Sequence, residues 1–170
     1  MNKNTHSFSF FLTAFLLLSF VSCGGQKKPD GMPPLHPTKI TIVQENGPLE
    51  GATVTLVNAD DPRFRWVVGG VTDAQGICQL KTHGNYQGVP VGKYKVLVQK
   101  SYSTGGSEPS GVPQPASVNT PEVKWFDTVD LKYKTVNTTD LEIGIKQGSN
   151  VQEFNVGAAV VEEIKPLGGK

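Results

Sequence analysis

Two cysteines and three histidines are the residues best suited to chemistry in this 170-residue chain. Cys78 would need a nearby imidazole or cation to become a thiolate nucleophile. His83 is closest in sequence, but five residues of extended chain span roughly 16 Å, and the odd spacing sets the two side chains on opposite faces of a strand. Cys78 is therefore expected to be a small, buried, unpaired core residue. His6, His36 and His83 are scattered. None has the spacing of a metal ligand set, so no metal and no cofactor is expected. Asn58, Asp60 and Asp61 in "NADDPR" offer oxygens, but calcium takes six to eight, and an Asx-rich turn has the same composition. The remaining chemistry is that of contact. Trp66, Tyr86, Tyr102, Trp125, Phe126 and Tyr133 fall near expected loops or strand ends, where aromatic faces hold sugar rings or anchor partners. Trp66 and Phe126 are expected to fill the core. Tyr102 and Trp125, within or beside a patternless stretch, are the expected exposed contacts.

The elements that must position them are strands. Gly 19 and Pro 12 suit a chain of strands and turns, and 18% charged residues argues against a coiled coil or charged disorder. The net charge is +1. Without Lys3 the two signs balance, which gives no electrostatic footprint for nucleic acid. "KITIVQ" (39–44) is β-branched, and "ENGPLEG" is turn chemistry. "ATVTLVN" (52–58) alternates with Ala52, Val54 and Leu56 on one face. "RWVVGGV" (65–71) and "ICQLKT" (77–82) predict further strands. "KYKVLVQK" (93–100) is the clearest, with Tyr94, Val96 and Val98 on one face. Between the third and fourth strands, Asp73 and Gly76 form a structural turn, with Asp73 bonding the backbone ahead and Gly76 taking the special dihedral. Residues 101–134 form an insertion. Within it, Thr120, Pro121 and Glu122 predict the start of a short helix. "LEIGIK" (141–146) and "QEFNVG" (152–157) follow as strands, and "AVVEEI" (159–164) as an eighth strand or a tail. Short strands at this spacing predict an all-β fold, an antiparallel sandwich or barrel; the fold expected, with the family resemblance given below, is a Greek-key β-sandwich of about seven strands.

The first 22 residues carry Lys3 and then an apolar run of roughly 14 residues, shorter than the about 20 that span a bilayer. "FVSC" resembles the lipobox of bacterial lipoproteins, with Phe20 where Leu is commonest. The resemblance implies lipidation at Cys23 and stable anchoring by more than one acyl chain. It leaves Cys78 without a disulfide partner in the chain. The organisation expected is a signal peptide (1–22), a lipidated Cys23 with a flexible tether (23–37), a sandwich (38–157) and a C-terminal tail (158–170).

"GPLEGATVTLVN", "GGVTDAQGICQLKT" and "GVPVGKYKVLV" resemble the carboxypeptidase-regulatory-like modules of transthyretin-like (prealbumin-like) and collagen-adhesin B-type sandwiches. The resemblance covers about 38–157. It departs at Ile77–Cys78, where the family often has an aromatic, and either residue could take the core-facing place. Collagen-adhesin modules can form an internal isopeptide bond. Lys39 and Asn155 are the formal candidates here, with no buried Glu evident, and Lys39, as a charged first-strand residue, is expected to be solvated. Intradiol dioxygenases on a similar sandwich need an H-x-H pair, and hydroxyisourate hydrolases a "Y-R-G-S" tail. This sequence has neither. The resemblance therefore implies a non-enzymatic, exported, membrane-anchored envelope lipoprotein, on the outer membrane ahead of the inner. It would be an accessory module for an envelope protein or polysaccharide. The alternatives are a structural component of an envelope complex, and a hydrolase or metal-dependent enzyme.

Overall fold

The computed structural model describes residues 27–45, 47–61, 63–104 and 123–164. The fold is all-β, with several antiparallel sheets. The main strands are β1 (Thr38–Gln44), β2 (Thr53–Asn58), β3 (Val68–Val71), β4 (Ile77–Gln79), β5 (Lys81–Thr82), β6 (Gly92–Gln99), β7 (Ser101–Thr104), β8 (Lys124–Asp127), β9 (Glu142–Ile145) and β10 (Asn150–Asn155). One sheet runs β9–β6–β2–β3–β5 and ends on the short ladder strand Tyr86–Gln87. The other is built on β1, with β10 on one side and both β4 and Gly47–Pro48 on the other. A three-stranded ribbon, β7–β8 with Glu162–Glu163, projects beyond them.

Period-two alternation sends one side of each long strand inward. Ile40 and Ile42 of β1 and Cys78 of β4 meet Val54 and Leu56 of β2, Val68 of β3, Tyr94, Val96 and Val98 of β6, and Ile143 and Ile145 of β9 in one core. Each fully buried Val or Ile contributes about 1.5–3 kcal/mol. Ala52, just ahead of β2, Val54 and Leu56 on β2, and Tyr94, Val96 and Val98 on β6 are all buried, as their alternation predicts. Cys78 takes the core-facing place left open between it and Ile77.

Four features depart from the expected strands. The third strand starts at Val68 instead of Arg65, and the Val67 carbonyl extends its bonding by accepting the His83 N–H at 2.7 Å. The run 77–82 is two strands: β4 pairs with β1, the chain pivots at buried Leu80, and β5 pairs with β3 in the other sheet. β9 and β10 do not pair with each other. The turn between them carries the chain from one sheet to the other, and β10 lies parallel to β1, with Asn150 opposite Thr38 and Asn155 opposite Val43. The helix expected from Thr120 is replaced over Lys124–Asp127 by β8, because these residues find a ladder partner in β7. Residues 120–122 lie outside the described residues. The local helical turn is a 3-10 turn at Leu131–Lys134, where the Asp130 side chain accepts the Lys132 N–H.

The N-terminal stretch expected as tether is engaged with the domain from Lys27. Leu35–His36 pairs with Val89–Pro90, Tyr86 donates its hydroxyl to the Lys27 carbonyl at 3.1 Å, and His36 Nδ1 accepts the Gly148 N–H at 3.1 Å.

Candidate binding ribbon and its place in the fold

β7 is the direct continuation of β6, and β8 folds back on it, so the ribbon is an extension of a core strand. Its root is a knot of bonds at Thr128. The Thr128 N–H and hydroxyl both reach the Lys100 carbonyl, at 2.9 and 3.2 Å, and the Thr128 carbonyl accepts from Gln44 Nε2 and from the Val160 N–H. Below the knot, the Asp127 carboxylate is buried against the Lys134 ammonium, and its second oxygen, Oδ1, has no hydrogen-bond partner among the described residues. Asp127 and Lys134 have the residue types of a solvated loop, and nothing local in the sequence marked them for burial. Val129 and Tyr133 beside them close the core.

The ladder sets the faces of the ribbon. Opposite residues of an antiparallel pair share a face. Tyr102 lies opposite Phe126, and their rings stack with centroids 5.5 Å apart. Trp125 lies opposite Ser103, on the other face, next to Ile164, whose N–H bonds the Trp125 carbonyl at 2.7 Å. Tyr102 is 41% exposed and Trp125 50%. The two expected contact residues therefore share a ribbon but face opposite ways. Val123, Trp125 and Ile164 are all exposed. The first face instead carries the Tyr102–Phe126 stack and a Lys124–Glu163 ion pair at 3.3 Å.

Phe126 is half-buried against Tyr102 instead of filling the core. Trp66 is also outside it, edge-on to His83 at 5.3 Å with the Arg65 guanidinium 4.7 Å over its ring. The core aromatic places go to Tyr94 and Tyr133.

The fold has two poles. The start of β1, the end of β2 and the start of β6 lie at one, where residues 27–36 dock. The end of β1, the start of β2 and the end of β6 lie at the other, where the ribbon springs. Along β6 the poles are about 24 Å apart.

Comparison with family models, with curated proteins and with solved structures finds no match.

The other features singled out in the sequence resolve into architecture. The Asp73 Oδ1 accepts the N–H groups of Gln75 and Ile77 at 3.0 and 2.9 Å, and Gly76 takes φ 73°. Thr72, next to them, is buried and also structural: its hydroxyl accepts from the Ala52 N–H and donates to the Leu49 carbonyl. Asn58 Oδ1 accepts the Asp60 and Asp61 N–H groups, and Asp61 Oδ1 accepts that of Arg63, so this oxygen cluster serves as stacked Asx turns. They border an open cleft of about 550 Å³ at the N-terminal pole, walled by Pro33, Pro34, Phe64 and Pro90. Lys39 lies opposite Val151, four positions from Asn155 on the parallel ladder, and both are exposed. Four positions are about 13 Å, too far for an isopeptide bond between Lys39 and Asn155. Burial, reinforced by the Asp73 carboxylate, pushes the Cys78 thiol up to about 11, the opposite of an activated nucleophile. Cys23 lies outside the described residues.

Proposed function

We propose that this chain is a non-enzymatic accessory lipoprotein of the bacterial cell envelope, exported and held to a membrane, the outer ahead of the inner, by lipid on Cys23. In this reading the domain is a Greek-key sandwich of the transthyretin-like, carboxypeptidase-regulatory-like kind. Its work is contact: the ribbon of β7 and β8 offers Tyr102 and Trp125 to an envelope protein or polysaccharide. The observation that carries the reading is the separation of the poles. Residues 27–36, downstream of Cys23 in the sequence, dock at one end of β6 and the aromatic ribbon leaves from the other, so a lipid-held domain would carry its contact residues away from the membrane.

The test has two arms on the full-length chain. Labelling with a palmitate analogue is expected to mark the parent and to be lost in Cys23→Ala; an unlabelled parent defeats the anchor. A glycan array and a membrane pull-down, each run with parent, Tyr102→Ala and Trp125→Ala, are expected to give a ligand whose binding falls at least tenfold in one of the variants. Undiminished binding in both removes the ribbon from the proposal.

A further inference from the structure

Every sheet edge leaves backbone N–H and C=O groups facing outward, and proteins protect such edges with charge, proline, short length or a side-chain cap. β10 carries Glu153, whose outward carbonyl is capped by Gln152 Nε2 at 3.3 Å. β9 carries Glu142, paired with Lys95, and is followed by Lys146. Tyr86–Gln87 and Gly47–Pro48 are two residues long, and the far side of the ribbon is Glu162–Glu163. β4 is an edge of three residues, and Asp73 caps Ile77 on both its N–H and its carbonyl. That leaves β7 as the longest edge among the described residues with no charge, no proline and no cap: Ser101, Tyr102, Ser103 and Thr104.

The ladder shows which of its groups face out. The Thr128 N–H bonds the Lys100 carbonyl, so the rung 100–128 is a bonded one. Rungs alternate, so 102–126 and 104–124 are bonded as well, and 101–127 and 103–125 are not. The N–H and C=O of Ser101 and Ser103 therefore point away from β8.

We propose that two copies of the chain pair through β7, antiparallel, about a two-fold axis at Tyr102. Only one antiparallel register of two such strands satisfies all the outward groups. Ser101 of each copy must oppose Ser103 of the other, which makes two bonded rungs and four hydrogen bonds. That register places the two Tyr102 residues opposite each other on the central unbonded rung, where side chains come closest. Tyr102 already stacks on Phe126, so the axis creates a row of four aromatic rings across the joined ribbons. No charge meets its like across the seam, because β7 has none. A two-fold contact of this kind is closed and uses up the edge, so it stops at two copies. Four backbone hydrogen bonds over a four-residue strand make a weak pair, best detected by trapping. The pairing depends neither on lipid at Cys23 nor on what the ribbon faces bind, so its failure leaves the proposed function standing.

Disulfide trapping in the full-length chain tests the register. Single cysteines are placed on β7, and dimer is read on a non-reducing gel, with the parent chain, which keeps Cys23 and Cys78, as the baseline. Opposed residues on an unbonded rung have Cα atoms about 4.5 Å apart, within disulfide reach. Tyr102→Cys is expected to give several-fold more dimer than the parent. Ser101→Cys and Ser103→Cys are each expected at baseline alone and to crosslink when mixed. Adding Ser103→Pro to Tyr102→Cys is expected to cut the yield several-fold with an unchanged unfolding midpoint, since the lost N–H faces outward. Tyr102→Cys at baseline, equal crosslinking at all three positions, or a crosslink to a different protein overturns the proposal.

Discussion

Gly70 and Cys78 sit on strands of different sheets with no room between them: a Cβ on Gly70 would lie 2.7 Å from the Cys78 Sγ. This is where the sheets close at their corner, two residues before the chain pivots at Leu80. Gly69, its neighbour, is as tight, with the Val54 carbonyl 2.7 Å from its Cβ position. The diglycine is thus a packing requirement of the corner. Gly70→Ala is expected to lower stability by about 1–3 kcal/mol through overpacking. Gly70→Ala with Cys78→Ala should recover part of that loss, and not all, because the Gln79 carbonyl is also 3.1 Å away. Urea titration of the two singles and the double measures the coupling, and strict additivity would contradict the contact.

The same cysteine sets an alkaline limit. Its thiol is held protonated up to about 11 by burial first and the Asp73 charge second, against 9.0 ordinarily. Below pH 9 the folded and unfolded thiols are both protonated, and Cys78 adds no pH dependence. Between 9 and 11 only the unfolded thiol ionises, so stability falls by up to about 1.4 kcal/mol per pH unit. Denaturation midpoints of the parent should therefore fall more steeply above pH 9 than those of Cys78→Ala. Parallel curves would show the thiol to be exposed.

The turn at 73–76 is held from inside and outside. Asp73→Ala removes two side-chain bonds and is expected to cost about 1–2 kcal/mol. Gly76→Ala should cost more. It forces a left-handed φ on a β-carbon, and that carbon would lie 2.5 Å from the Ile42 carbonyl. Thermal melts that rank the two in the reverse order would argue that the turn moves as a unit away from β1.

At the root of the ribbon, Lys134→Met leaves the Asp127 carboxylate buried without its cation. The expected loss is about 3–5 kcal/mol. Pairing that change with Asp127→Leu should restore much of it, since an apolar pair needs no solvation. Trp125 emission in a Trp66→Phe background, compared with far-ultraviolet dichroism, reports whether the ribbon separates before the sandwich melts.

The long alternating strands were legible in the sequence because each is paired along its length and buried on one side, which leaves period two intact. Val54 and Leu56, and Val96 and Val98, needed no further context. The change of sheet at Leu80 was not legible, because no Gly or Pro marks the pivot and the alternation runs through it unbroken. β8 is not legible locally: Thr120, Pro121 and Glu122 are helix-start signals, whereas Lys124–Asp127 is made a strand by β7, some twenty residues earlier. Tyr102 and Trp125 were found by residue type alone, and their opposite facing follows from that same distant pairing. The burial of Asp127 depends on Lys134 arriving from the 3-10 turn, which no spacing rule encodes.

The parallel ladder between β1 and β10 has a mechanical consequence. β1 enters at the pole where residues 27–36 dock, and β10 leaves at the ribbon pole. A pull that holds the first and draws on the second loads the ladder along its length. Its rungs, Asn150 to Asn155 against Thr38 to Val43, are then sheared together, where an antiparallel hairpin would unzip one rung at a time. The strand pair that closes the core is thus also the part of the domain that would bear tension.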